Sequence, residues 1–395
     1  VSGKNDKTPS DRVPLRFDRH EAGGALGDLG TYIPLLVGMV NRCGLQLVPT
    51  LVIGGLMNIA TGLLFRIPIP VQPMKVIATV AIAEGLNESQ ILTAGILTSL
   101  ALLVLALSGL IDWLNRVIPQ AVVRGLQLAL GLKLLSGGVT MIGGTERLIG
   151  WDSVGLGVAC SVLVLAFYYS KRMPGALVVL LVGLVALLVA QPDLLTTTKL
   201  GSAWSMPQLT AFGDWRTGFW RGAMLQLPLT TLNSVIAICA LSVDLFPRHP
   251  AAPKHVALSV SLMNLIGCPF GAMPVCHGAG GLAAQYRFGA RTGGSMVMLG
   301  CVKIVLGLAV GGSLLLWLQE FPKSVLGVLL MFSGLELAMV CRDQTRRVDF
   351  FLMILTTGAC LGINTAVGFA VGWAVALLLL WGIFRIEKPD ENATP

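Results

Sequence analysis

From Ala22 onwards the sequence is a succession of long apolar runs separated by short polar breaks. Runs such as Leu92 to Leu110, Leu177 to Ala190 and Ala366 to Trp381 are, with their neighbours, long enough to cross a hydrocarbon core of about 30 Å. Fourteen apolar segments are expected, at 22–41, 45–65, 72–85, 89–111, 117–137, 153–169 and 174–191, then 217–240, 255–270, 276–288, 294–317, 323–341, 348–363 and 365–385. Period-two alternation, the mark of a membrane β-barrel, is absent, so the spans are expected to be helices, which satisfy their own backbone in lipid.

Segments 3 and 10 break the pattern. At about fourteen and thirteen residues they make roughly 20 Å of helix, too little to span alone. Each follows a Pro-rich run, FRIPIPVQPMKVIATVAIA from Phe65 and FGAMPVCHGAGGLAAQYRFGARTGG from Phe270. A Pro-Val pair precedes each helical run, Pro70-Val71 and Pro274-Val275, about half the chain apart. The chain therefore reads as a two-fold internal repeat of seven segments each. An odd number of spans per half inverts the second half relative to the first, as in many secondary transporters.

Composition agrees. With 54% hydrophobic and 12% charged residues and a mean hydropathy of +0.79, a soluble fold is excluded. The net charge of +8 reads as cytoplasmic loops rather than nucleic-acid binding. With the N-terminus inside, nineteen Lys and Arg residues fall at cytoplasmic ends, and six fall outside: Arg42, Arg147, Lys199, Arg216, Arg221 and Lys323. Both termini are thus expected in the cytoplasm. The expected organisation is a cytoplasmic arm at 1–20, a first repeat at 21–200 and a second at 201–387. The polar, charged residues 1–20 make a cleavable signal unexpected, and no soluble domain is expected beyond Arg385. Ser202–Arg221, with Trp204, Trp215 and Trp220, reads as a linker lying at the outer interface. The eight cysteines show no metal-ligand or C-x-x-C spacing and read as packing residues, so neither metal nor cofactor is expected.

The short helices carry the candidate chemistry. Prolyl runs that complete each crossing place both helix N-termini near the bilayer midplane, where unpaired N–H groups and positive dipole ends suit an anion. Backbone donors are expected at Met74, Lys75, Gly278 and Ala279, with Pro73 opening the first short helix, Gln72 its cap and Gly278, Gly280 and Gly281 allowing close approach. A pair of kinked packing helices would share these features. Side-chain candidates are Thr31 and Tyr32 in segment 1, Gln72, Cys276, His277, and Asn233 on a polar face of segment 8 shared with Gln226, Thr230 and Thr231. Ionisable groups inside the membrane are costly unless paired or functional. Lys75 suits either an ion pair with Asp28 or the anion itself. His277 suits a helix cap or a proton carrier, and Glu336 a gate or a structural pair. Lys133 and Lys303 read as structural lysines. No arrangement of catalytic groups supports an intramembrane enzyme.

PIPVQPMKVIATVAI and FGAMPVCHGAGGLAAQYRFGARTG resemble the two sequence motifs of the molybdate transporter family, relatives of the sulfate permeases, and GALGDLGTYIPL in segment 1 agrees. The resemblance implies an all-α polytopic protein of uracil permease and sulfate permease architecture. In that architecture a core of segments 1–4 and 8–11 moves against a gate of segments 5–7 and 12–14. It also implies secondary active transport of molybdate by alternating access; the intramembrane ionisable residues Asp28, His277 and Glu336 are the coupling or gating candidates, a proton is a candidate coupling ion, and the coupling ion stays open. Sulfate and tungstate remain rival substrates, an anion channel a rival mechanism, and a homodimer an open assembly.

Overall fold

The computed structural model describes residues 14–27, 29–111, 117–168, 170, 175–199, 201, 204 and 214–383. Asp28, most of the arm at 1–20 and most of the linker at 202–213 lie outside the described residues. So do Arg116, Lys171, Arg172, Arg385 and Lys388 from the charge count.

The elements are α1 (Arg19–Leu26), α2 (Leu29–Cys43), α3 (Leu47–Phe65), β1 (Gln72–Pro73), α4 (Lys75–Glu84), α5 (Glu88–Ser108), α6 (Gln120–Gly143), α7 (Val154–Ala166) and α8 (Gly175–Ala190). After the linker come α9 (Trp215–Leu245), α10 (Pro253–Gly267), β2 (Val275–Cys276), α11 (Ala279–Arg287), α12 (Gly294–Gln319), α13 (Lys323–Met339), α14 (Arg347–Gly362) and α15 (Thr365–Leu380). Among the described residues six helices are long and apolar enough to cross a membrane: α3, α5, α6, α9, α12, and α13 with its extension to Asp343. α7, α8 and α15 are apolar but shorter. The expected first segment is divided into α1 and α2.

Helices approach closely where glycines face each other. Gly131 and Gly138 of α6 meet Gly334 and Gly327 of α13, and a Cβ on any of the four would strike the partner's carbonyl oxygen. Gly55 of α3 and Gly300 of α12 repeat the arrangement. Such contacts hold helices together in lipid, where burial of apolar surface gives no drive to associate. α1 is tied in differently: its buried Glu21 carboxylate accepts from the amides of Arg291 and Thr292, at 3.0 and 2.8 Å, just ahead of α12.

At the centre the two prolyl runs cross. β1 and β2 pair antiparallel, with Gln72 opposite Cys276 and Pro73 opposite Val275, and the Met74 amide continues the ladder to the Pro274 carbonyl at 2.9 Å. Non-helical backbone at this depth must be satisfied inside the protein. Asn264 of α10 accepts from the Val275 amide and donates to the Val275 carbonyl, both at 2.7 Å. Thr50 of α3 accepts from the Met273 amide at 3.1 Å. The ladder corrects two expectations. Pro73 lies in β1 rather than opening the helix, and Gln72 is a strand residue rather than a cap, because α4 cannot begin until the Met74 amide has been used by Pro274.

Candidate functional site

A cavity of about 390 Å³ is lined by Lys75, the first residue of α4, and by Gly280, Ala284 and Arg287 along α11. Residues of α2, α4, α9 and α11 line it, together with residues of α6, α7, α8 and α13. Thr31, Lys75, Thr79, Asn233, Gly280 and Arg287 belong to the first set, and Gln127, Ser333 and Glu336 to the second. Lys75 has no hydrogen-bond or ion-pair partner among the described residues. Thr79 stands one turn further along the same face. Among the described residues its fully buried hydroxyl has no partner, and neither has the Ser333 hydroxyl of α13. Two unsatisfied buried hydroxyls and an unpaired ammonium at one cavity are what a bound acceptor would relieve.

The two helix N-termini differ. In α4 the amides of Val76 and Ile77 donate to the Gln226 side-chain oxygen at 2.9 and 3.3 Å, so an α9 side chain seals most of that turn. In α11, among the described residues, neither the Ala279 nor the Gly280 amide has a partner. A Cβ built on Gly280 would meet only open space, so the missing side chain there leaves room in the cavity rather than close packing. Gly278 is otherwise placed: its Cβ would strike the Gln72 carboxamide across the strand pair.

The structure thus brings Thr31, Lys75, Asn233 and Glu336 together around one cavity, and Gly280 joins them where Ala279 was expected. Tyr32, Gln72, Met74, Cys276, His277 and Gly278 do not line it. The Met74 amide is committed to Pro274. The Tyr32 ring lies beneath the Lys303 ammonium, 3.6 Å from its centroid, on the side of a second, apolar cavity. Cys276 approaches the Pro73 carbonyl at 3.9 Å. Both nitrogens of the buried His277 ring are engaged, Nδ1 by the Pro70 carbonyl and Nε2 by the Ser259 hydroxyl, each at 2.9 Å, so the ring ties the first prolyl run to α10 and does not cap α11, whose N-cap is Gly278. The polar face of segment 8 divides likewise. Gln226 caps α4, Thr230 holds Gln226 at 2.8 Å, Thr231 bonds back to its own helix, and only Asn233 reaches the cavity. Asn233 falls in a π-helical stretch, Thr230–Ala237, just after Pro228; such stretches widen a helix and often mark functional positions. Lys133 and Lys303 are structural, bonded to Glu84 at 3.0 Å and to Asn58 at 2.9 Å. Sequence reasoning missed Thr79, Gln127 and Ser333. The fourfold spacing of Thr79 from Lys75 was a signal; Ser333, among apolar neighbours, gave none.

The chain superposes on the transmembrane domain of the cyanobacterial bicarbonate transporter BicA with a TM-score of 0.66 and 13% identity, covering 93% of this chain and 99% of that one. On murine SLC26A9, an anion transporter solved in the inward-facing state, the TM-score is 0.67 at 14% identity, covering 96% of this chain and 70% of that one. The protein is therefore a multi-pass membrane protein with the fold these two transporters share. Within that fold its sequence is specific: residues 20–134 and 218–337 match the family model described as molybdate transporter of MFS superfamily. Molybdate transporter 1 of Arabidopsis thaliana is 40% identical over 94% of this chain and 90% of its own length, and molybdate transporter 1 of Chlamydomonas reinhardtii is 37% identical over 89% of each. The chain belongs to this molybdate transporter family, a family of transporters and not of enzymes.

Proposed function

We propose that this protein carries molybdate across the membrane and binds it in the cavity between α4 and α11. The names of its relatives support the substrate. The observation that carries the site is Lys75, an ammonium at the cavity with no carboxylate partner among the described residues, one turn from the unpartnered Thr79 hydroxyl. Molybdate is a tetrahedral dianion whose oxygens only accept, so a wall of donors suits it. Lys75 supplies charge, Thr31, Thr79 and Asn233 supply hydrogen bonds, and the open first turn of α11 supplies backbone amides.

The proposed mechanism is alternating access by a seven-plus-seven inverted repeat. Packing that recurs with the halves exchanged supports it: α3 lies on α12 as α10 lies on α5, α6 on α14 as α13 on α7, and α7 on α8 as α14 on α15. α1–α5 with α9–α12 form the core and α6–α8 with α13–α15 the gate, so the cavity lies between bodies that can move against each other. With both termini cytoplasmic, the cavity end bearing Arg287 and Val340 faces inward, the state named for murine SLC26A9. Glu336 is the one carboxylate lining the cavity among the described residues, and it is the proposed carrier of a coupling proton.

The test is uptake by purified protein in liposomes. Molybdate should accumulate with an inward proton gradient, and tungstate should compete better than sulfate. Gradient-independent flux would indicate a channel, and preference for sulfate would reassign the substrate. Single cysteines at Gln344 and Asn87 should label from opposite faces, Gln344 from the cytoplasm; labelling from one side would overturn the inverted topology.

A further inference from the structure

An oxyanion held between the proposed core and the proposed gate needs donors from both. Gln127 of α6 lines the cavity from the gate and is almost fully buried. A carboxamide can present either its oxygen or its NH₂ group, and only the NH₂ group suits an anion. Its neighbour decides which. Arg124, one turn earlier on α6, donates from Nη1 to the Gln127 Oε1 at 2.8 Å. A guanidinium has no acceptor, so the oxygen must face Arg124 and the NH₂ group must face away from it. Arg124 is itself fixed: its Nε donates to both Asp343 oxygens at 3.1 and 2.9 Å, and its Nη2 reaches Oδ2 at 2.6 Å. Asp343 also accepts from the side-chain amides of Gln120 and Gln344, at 2.9 and 2.7 Å. Among the described residues the Gln127 Nε2 has no partner.

We infer that Gln127 is a substrate-contacting donor on the gate side, and that the Asp343–Arg124 pair is a positioning device that turns its NH₂ group into the cavity. The inference rests on the reading of this cavity as the molybdate site. Asp343 neutralises Arg124, so the pair sets the direction of a hydrogen bond without adding net charge to the site. Because Gln127 belongs to the proposed gate and Lys75, Thr79 and Asn233 to the proposed core, an oxyanion held by all four bridges the two bodies, and a wrongly turned carboxamide would set an oxygen against it.

The test is calorimetric titration of the purified full-length protein with sodium molybdate, on variants that keep the parent melting temperature. Gln127→Glu puts a carboxylate oxygen toward the anion and should weaken binding more than thirtyfold. Gln127→Met, of similar shape but without donors, should weaken it about tenfold. Arg124→Gln should raise the Kd severalfold in the parent background but cause no further loss when combined with Gln127→Met, because it acts only through Gln127. Parent-like affinity in both Gln127 variants would overturn the substrate contact, and additive losses in the double variant would overturn the positioning role. Lys75→Gln separates this inference from the site itself. If Lys75→Gln abolishes binding while Gln127→Glu leaves it intact, only the inference fails; if neither changes binding, the cavity is not the site.

Discussion

In the proposed inverted repeat α4 and α11 occupy equivalent places, yet they offer an anion different things. α4 has its second and third amides closed by Gln226 and presents a side-chain charge, Lys75, with the Thr79 hydroxyl one turn on. α11 carries no charge in its first turn, AGG, and presents bare backbone where Gly280 leaves the cavity open. Opposed half-helices therefore need not be two copies of one anion site. Here one end has become a charged side-chain donor held on a sealed turn, while the other keeps the dipole and free amides of a helix N-terminus.

The division of labour can be broken at each end. The largest effect is expected at Gly280. Gly280→Val fills open space, so the protein should fold, yet the branched side chain occupies the cavity and binding should fall more than a hundredfold, about 2.7 kcal/mol. Gly278→Val, two residues away, instead meets the Gln72 carboxamide within the strand pair, the movable end of a side chain, and should lower the melting temperature without preventing folding. Calorimetry and melting curves on the two variants separate occlusion from destabilisation. Next is Lys75→Gln, which keeps a donor and removes the charge. Loss of a charge-assisted hydrogen bond, about 1.5–3 kcal/mol, should weaken molybdate binding by roughly ten- to a hundredfold and flatten its salt dependence. Gln226→Leu acts on the sealed turn and on the Thr230 hydroxyl that holds Gln226, neither of which faces the cavity. Stranding the Val76 and Ile77 amides should cost about 1–3 kcal/mol of stability in denaturant titrations, while affinity in the folded fraction stays within about threefold. The smallest effect is expected from His277→Gln. With neither ring nitrogen turned to the cavity, uptake should change less than about threefold and its pH profile should keep its shape; a flattened profile would restore the proton-carrier role.

Much of this was legible in the chain. The two prolyl runs marked the paired half-helices because Pro at close spacing forbids a continuous helix, and their apolar remainders are too short to span. Lys75, Thr31 and Asn233, singled out because polar groups inside apolar segments need a reason, line one cavity. Four candidates that do not line that cavity share one feature. Met74, Gln72, Cys276 and His277 all lie on or beside the strand crossing, and sequence shows that backbone there is irregular without showing which groups satisfy it. The Pro274 and Pro70 carbonyls take donors that would otherwise have been free for a ligand, and the Ser259 hydroxyl donates to the remaining His277 nitrogen, all three being distant or unremarkable in sequence. Gln127 was missed for the complementary reason. Its meaning depends on Arg124 being anchored by Asp343 from a different helix, a contact across more than half the chain.

The most direct measurement is an anomalous difference map at the molybdenum edge from crystals of the full-length protein grown with molybdate. One peak is expected between the first turns of α4 and α11, with its oxygens about 3 Å from the Lys75 ammonium, the Thr79 hydroxyl and the Gly280 amide. A peak beside Gln72 and His277 at the strand crossing, or beside Lys303 in the second cavity, with none between Lys75 and Gly280, would contradict the assignment of the site.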